Sequence, residues 1–438
     1  MKLLTFAAAL VLAATAARAD IEIKEVTSPG GIEAWLVEEP SIPFVALELR
    51  FRGGASLDAE GKRGATNLMT ALLEEGAGDR DAREFTTVAE SLAARFSYDV
   101  GDDAVSVSAQ FLTETQDEAV ALLRETLVSP RFDQDAIDRV KAQILSSIRS
   151  DATDPNAIAA QTFDRRAFGD HPYGSDYQGT IDSVGALTRD DVVQAFDRTI
   201  ARDRVHVAAA GDISAEELGV LLDELLGDLP EEGAPLPGEA EVATTEGVTV
   251  VPFDTPQSVA MFGHEGIARD DPDFFAAYVL NTILGAGGYD SRLMEEVREK
   301  RGLTYGVYSY LVPKDHAALY MGQVASANDR IAEAIDVVRA EWARMASDGV
   351  SEDELARAKT YLTGAYPLRF DGNSQIASIL VGMQLDGLTP EYVETRNAMI
   401  EALTVEDINR VAARLLKPEA LRFVVVGQPE GLEGDPTQ

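Results

Sequence analysis

The stretch Leu187-Thr188-Arg189-Asp190-Asp191-Val192 returns 216 residues later as Leu403-Thr404-Val405-Glu406-Asp407-Ile408. Each copy opens a helical pattern that leads to an apolar run closed by glycine. Residues 205–211 read Val-His-Val-Ala-Ala-Ala-Gly and residues 421–427 read Leu-Arg-Phe-Val-Val-Val-Gly, and the closing glycines, Gly211 and Gly427, again lie 216 apart. Upstream, Asp135-Ala136-Ile137-Asp138-Arg139-Val140-Lys141 is matched by Asp353-Glu354-Leu355-Ala356-Arg357-Ala358-Lys359. Solenoid repeats are far shorter, so a period of this length marks a duplicated domain. At 438 residues the chain is also too long for one ordinary core. The expected fold class is α+β, with two duplicated domains, each a β-sheet with helices packed mainly on one face.

Residues 1–19 read as a signal peptide: Lys2, an apolar run, then Ala17-Arg18-Ala19 as a cleavage site. Residues 20–228 then form the first domain. Residues 21–27 and 32–38 have strand character around Pro29-Gly30-Gly31, and residues 44–53 alternate like a half-buried strand. A helix is expected over 62–76, with Leu68, Leu72 and Leu73 as its buried stripe and Gly76 as its stop. A strand pair follows over 100–112, then helices over 118–128 and 135–149. Residues 229–247, rich in Pro, Gly and Glu, read as an extended linker, and residues 248–438 form the second domain.

The chain carries 38 Lys and Arg against 75 Asp and Glu, a formal charge of −37. Such a surface repels phosphate backbones, which argues against nucleic acid as a partner, and it keeps the chain soluble. No stretch after the signal has the ~18 uninterrupted apolar residues of a membrane helix. The mature chain is expected to be periplasmic or secreted, without membrane insertion. There are no cysteines, so stability must come from packing, and thiolate metal sites are excluded.

Residues 285–310 hold the most unusual string: Gly-Ala-Gly-Gly-Tyr-Asp-Ser-Arg-Leu, then Met-Glu-Glu-Val-Arg-Glu-Lys-Arg-Gly-Leu-Thr-Tyr and an aromatic run. A glycine turn leads into a charged helix, and Gly302 ends it ahead of a strand. Arg298 and Tyr305 can meet at one surface as a guanidinium fork and a phenol, donors suited to a peptide carbonyl or an oxyanion. The plain reading makes Arg298 one charge of a solvated face and Tyr305 a half-buried strand aromatic. Gly285, Gly287 and Gly288 are either a mobile substrate loop or a tight turn that lets two elements pack.

The whole string resembles the C-terminal signature of the pitrilysin/insulinase family of zinc peptidases. The resemblance implies that Arg298 and Tyr305 bind substrate over a zinc ion held by the other half of a clamshell. Active members carry His-x-x-Glu-His on a helix of the first half, with a further Glu ligand in a later helix. Here the first His falls on Asn67, the Glu on Thr70, the second His on Ala71 and the later Glu on Ser147. None of these offers a good zinc ligand, so no metal is expected on this chain. The four histidines, His171, His206, His264 and His316, are too scattered to replace the site. No Cys nucleophile, Gly-x-Ser-x-Gly elbow or phosphate-binding loop is present either.

Some peptidases of the family are built from two chains, one with the zinc site and one without it. The resemblance therefore implies a non-catalytic, substrate-binding subunit. Its partner would be a zinc-motif chain of similar size in a heterodimer, with zinc in that partner and peptides as substrate. The alternatives are a non-enzymatic scaffold or peptide-binding protein of the same fold, and an independent peptidase with an unfamiliar site, which four missing positions oppose.

Overall fold

The computed structural model describes residues 21–435, and the expected signal peptide lies outside them. In the first half, β1 (Lys24–Thr27), β2 (Glu33–Glu38) and β3 (Phe44–Arg52) come first, and β4 (Gly76–Ala77) and β5 (Arg80–Asp81) form a separate small hairpin. They are followed by β6 (Arg95–Val100), β7 (Ala104–Leu112) and β8 (Val205–Gly211). The second half supplies β9 (Gly247–Pro252), β10 (Gln257–Glu265), β11 (Val307–Lys314), β12 (Ala317–Ala327) and β13 (Arg422–Gly427).

The first sheet runs β1-β2-β8-β3-β7-β6 and the second β11-β12-β10-β13-β9. In each, one parallel pair (β2 with β8, β9 with β13) sits beside antiparallel neighbours. Setting β9 on β2, β13 on β8, β10 on β3, β12 on β7 and β11 on β6 superposes the two orders, with β1 as an extra edge strand. The duplication legible in the sequence is thus a duplication of topology. The recurring Leu-Thr hexapeptide proves to be a helix start. Thr188 and Thr404 each cap a helix, and the carboxylates of Asp191 and Asp407 accept the cap residues' backbone N–H at 2.8 and 2.9 Å. The two closing glycines have φ of +141° and +153°. A Cβ on Gly211 would lie 2.2 Å from the carbonyl oxygen of Phe44, and one on Gly427 would lie 2.3 Å from Ser258 Oγ.

One face of each sheet is covered by its own half's helices, as expected. Leu47, Leu49 and Phe51 of β3 meet Leu68, Leu123 and Leu222, and Phe262 and Phe423 of the second sheet meet Ile335, Trp342 and Val411. The opposite faces are apolar too, and here the halves exchange helices. The first half's helix Pro155–Phe168 lays Ala159, Phe163 and Ala167 on Val259, Met261, Val424 and Val426 of the second sheet. Reciprocally, the second half's helix Asn373–Leu385 lays Ile376, Ala377, Leu380 and Val381 on Val37, Ala46, Ala208 and Ala210 of the first sheet. Alanines on β8 leave room for that helix, and burial on both faces explains why β8 and β13 read as continuous apolar runs.

Two local boundaries differ from expectation. The helix expected over 62–76 is Ala65–Leu72, because Gly76, at φ +115°, turns the chain into β4. Leu68, Leu72 and Leu73 are buried as expected. Residues 229–246 carry no helix or strand but are held against both halves: Ala240 N donates to His316 O and Ala243 N to Ala167 O, each at 2.8 Å.

Candidate functional site

The helix Ala65–Leu72 begins where the Asp58 carboxylate accepts the N–H groups of Gly64 and Thr66, each at 2.8 Å, and the Thr66 hydroxyl at 2.7 Å. Leu68, Met69 and Leu72 anchor it in the core. Asn67 and Ala71, one turn apart, share its half-buried face, whereas Thr70 is buried with its hydroxyl unpartnered. Ser147 lies exposed on the helix Gln134–Asp151. Zinc sites are built from imidazole, thiolate and carboxylate, and these four side chains supply none of them. They do not fit the ion. Among the described residues no group of three or more His, Cys, Asp or Glu could hold a metal.

The second candidate surface is built by residues 282–306. Thr282–Ala286 and Met294–Glu299 wind as two π-helical turns, a geometry that recurs at functional sites. Gly285 is buried against β11: a Cβ there would meet Ser309 Oγ at 2.3 Å and Ser309 N at 2.6 Å. Close packing therefore accounts for Gly285. Gly287, where a Cβ would lie 2.5 Å from Thr282 O, is close-packed too, yet it lines a pocket of about 340 Å³ with Gly288, Tyr289, Arg357 and Tyr361, and Gly288 has φ +62°.

Most charges of this segment are tied down. Arg292 grips Glu354 with two hydrogen bonds, at 2.6 and 2.9 Å. Burial would raise the Glu354 carboxyl, but that fork holds it down at about 2. Glu296 is likewise held at about 2, by Lys300 first and then by Arg301. Arg298 is different. Its guanidinium lies 4.7 Å from the centre of the Tyr289 ring, and no carboxylate pairs with it among the described residues.

Gly302, at φ +59°, ends the segment, and buried Leu303 anchors the chain beyond it. Arg330 donates to the carbonyls of Arg301 and Gly302 at 3.0 and 2.9 Å. The Thr304 hydroxyl donates to Ala325 O at 2.6 Å and accepts from Gly306 N at 3.0 Å. Between these clamps Tyr305 is 87% exposed, two residues short of β11. The structure thus brings Arg298 to Tyr289, and no hydrogen bond joins Arg298 to Tyr305 among the described residues. Tyr289 was missed in the sequence, where its one signal is an aromatic directly after the glycine turn.

The histidines take structural places. Trp342 Nε1 donates to His264 Nε2 at 2.9 Å inside the second core. His206 lies on β8, His316 in the turn between β11 and β12, and His171 accepts from Tyr173 N at 3.2 Å. No helix of the described residues is long and apolar enough to cross a membrane.

Comparison with known proteins matches residues 34–180 to the profile described as insulinase (peptidase family M16), and residues 186–362 to that described as peptidase M16 inactive domain. A non-peptidase homolog, YmxG, of Helicobacter pylori is 27% identical over 89% of this chain and 90% of its own. An uncharacterized zinc protease of Streptomyces coelicolor is 26% identical over 90% of this chain and 87% of its own. Among solved structures, a peptidase M16 inactive domain from Pseudomonas fluorescens superposes with a TM-score of 0.88 at 27% identity, covering 95% of this chain and all of that one.

Proposed function

Because this chain belongs to the insulinase family of peptidases (family M16) and carries Asn67, Thr70, Ala71 and Ser147 where zinc chemistry needs ligands and a base, we propose that it is a non-catalytic, peptide-binding subunit of a two-chain peptidase outside the cytoplasm. The observation that carries this reading is that one short segment holds both a cation with no carboxylate partner among the described residues, Arg298, over the Tyr289 ring, and a tyrosine 87% exposed between backbone clamps, Tyr305. Both groups donate hydrogen bonds, and a peptide offers carbonyl oxygens to accept them. This chain's share of the reaction is then to bind and orient the peptide, and to place donors where negative charge develops on its carbonyl oxygen. The hydrolytic centre and its zinc belong to a partner chain of similar size. Gly287 and Gly288 extend the binding surface as a loop beside Tyr289.

The test is to express this chain alone and together with a family member that carries His-x-x-Glu-His. Co-purification, bound zinc and turnover of a fluorogenic peptide pool are then measured. The reading expects zinc and turnover only in the mixture, above what the partner shows alone. A zinc-dependent peptidase activity in the single chain would overturn it. The name of the Helicobacter pylori relative, a non-peptidase homolog, favours a second reading: a scaffold or peptide-binding protein with no catalytic partner. That reading expects peptide binding without any partner-dependent turnover.

A further inference from the structure

A cleft of about 680 Å³ opens in the second half, between the exchanged helix Asn373–Leu385, the helices Phe274–Asn281 and Tyr392–Ala402, and β11. This volume lies within the range of small-ligand sites, ~300–1,000 Å³. At its wall Arg396 is 4% exposed, and no carboxylate pairs with it among the described residues. Its hydrogen bonds go to neutral groups, Leu362 O at 3.2 Å and Asn397 Oδ1 at 3.1 Å. Its guanidinium stacks 4.2 Å from the centre of the Tyr366 ring. Tyr366 is itself 6% exposed, lines the same cleft, and its hydroxyl has no hydrogen-bond partner.

Buried cations are ordinarily matched by an anion, and buried hydroxyls by a partner. Here the two unmet demands stand side by side. Stacking on tyrosine faces offsets part of the cation's desolvation but supplies no counter-charge. At the rim, Arg369 is exposed and likewise has no carboxylate partner among the described residues, while Arg269 is paired with Asp386 at 2.9 Å. Among the described residues Asp386 is the only acidic one lining the cleft, against three arginines, in a chain of formal charge −37. The rest of the lining is mostly aromatic or apolar, with the neutral polar side chains of Asn281, Gln375 and Ser378 among it, and the Phe275 and Tyr392 rings are stacked 5.9 Å apart next to Ile379 and Met383.

We propose that this cleft binds a carboxylate that adjoins an aromatic or large apolar group, with Arg396 and the Tyr366 hydroxyl on the carboxylate and the aromatic lining on its neighbour. Arg369 then draws the anion to the rim. The C-terminus of a peptide ending in such a residue and a free aryl-alkyl acid share this chemistry. The cleft is lined by neither Arg298 nor Tyr305, nor by Gly287 or Gly288, and the proposal does not depend on the peptidase-subunit reading.

The test is calorimetric titration of the full chain with N-acetyl-Ala-Ala-Phe as the free acid, the same tripeptide as its C-terminal amide, and 3-phenylpropionate. Binding of the free acid at least tenfold tighter than the amide is expected. If 3-phenylpropionate matches the tripeptide acid, the ligand class is the free acid; if the tripeptide acid binds far more tightly, it is a peptide C-terminus. Removing a buried arginine can unfold the chain, so the variants are Tyr366→Phe and Arg369→Gln. Each is expected to weaken the acid threefold or more and leave the amide unchanged. Equal binding of acid and amide, or no binding of any probe at millimolar concentration, would overturn the proposal.

Discussion

Lys314, at the end of β11 in the second half, places its ammonium 2.6 Å from Asp102 Oδ2 in the first half. Both side chains are 19% exposed. The same ammonium lies 4.4 Å from the centre of the Tyr173 ring, and Asp102 Oδ1 accepts from Arg63 at 3.0 Å. The backbone N–H of Asp315 reaches Asp103 and that of His316 reaches the Tyr173 hydroxyl, each at 3.2 Å. The hairpin turn after β11 is therefore bound into the first half by charge and backbone together. Lys314→Met should lower stability by about 1–2 kcal/mol, the range of hydrogen bonds to charged groups discounted for partial exposure. A double-mutant cycle with Asp102→Asn in urea checks it, and an interaction energy near zero would mean that the pair contributes nothing.

Asp164, on the exchanged helix Pro155–Phe168, stands near the same lysine. Burial pushes its carboxyl up to about 7, Lys314 opposes this, and Asp102 and Asp176 add to it. A carboxyl raised in the folded state stabilises fully only below its ordinary value of 3.8, and that stability is lost as pH rises through about 7. At 1.36 kcal/mol per unit the loss approaches ~4 kcal/mol above neutrality. Asp164→Asn removes the charge and should melt at a higher temperature than the parent at pH 8, with little difference at pH 4. Identical melting at pH 8 would show that Asp164 remains solvated.

His264 works in the opposite direction. Burial holds its imidazole down at about 4, and with Nε2 accepting from Trp342 the ring proton sits on Nδ1, 2.6 Å from the carbonyl of Glu265. A histidine lowered in the folded state contributes stability above its ordinary 6.5, which is lost as pH falls through about 4, in total ~3 kcal/mol. Nitrogen-15 spectra of the four histidines should contain one ring that stays neutral, protonated at Nδ1, at pH 5. If every ring has become doubly protonated by then, the buried Trp342–His264 bond is not as described.

The helix exchange makes each half's stability depend on the other. Leu380 is fully buried on the helix Asn373–Leu385, against the Ala208 and Ala210 side of the first sheet. Leu380→Ala should cost about 2–5 kcal/mol, and hydrogen exchange should speed up in β8 and β3 of the first half as well as around the helix. Exchange that changes only in the second half would mean that the packing is not shared.

The same exchange marks where the sequence stopped being legible. The 216-residue register gave the duplication, because helix caps at Thr188 and Thr404 and glycine strand ends at Gly211 and Gly427 are local devices that each copy must keep. Which half a helix packs on is not local. Nothing in residues 155–168 says that Phe163 will rest on Met261, although the unbroken apolar runs of β8 and β13 already require cover on both faces. At the candidate site, Asn67, Thr70, Ala71 and Ser147 could be placed only through the resemblance to zinc peptidases, after which their side chains, none of them an imidazole, thiolate or carboxylate, speak for themselves. Arg298 and Tyr305 could be picked out, but not the Tyr289 ring under the guanidinium or the Thr304 clamp, because those depend on how a glycine turn folds back. The unmatched charge of Arg396 was invisible for the same reason.

Arg298 and Tyr305 can be separated from the fold more cleanly than any other pair discussed. Tyr305 is 87% exposed, and Arg298 has no carboxylate partner among the described residues, so Arg298→Ala and Tyr305→Phe should each change thermal stability by less than ~1 kcal/mol. If the two groups hold a peptide carbonyl as charge develops on its oxygen, losing either should lower turnover of the two-chain complex by about 10²–10³. Tyr289→Leu, which removes the ring under the guanidinium but no donor, should cost less, because the arginine keeps its charge and loses only its orientation. Steady-state kinetics on the reconstituted complex, with melting curves of the same samples, distinguish these cases. Unchanged turnover in both Arg298→Ala and Tyr305→Phe would leave their exposure without a catalytic purpose and favour the scaffold reading. A loss of turnover matched by a loss of complex formation would instead place the two residues at the contact between chains.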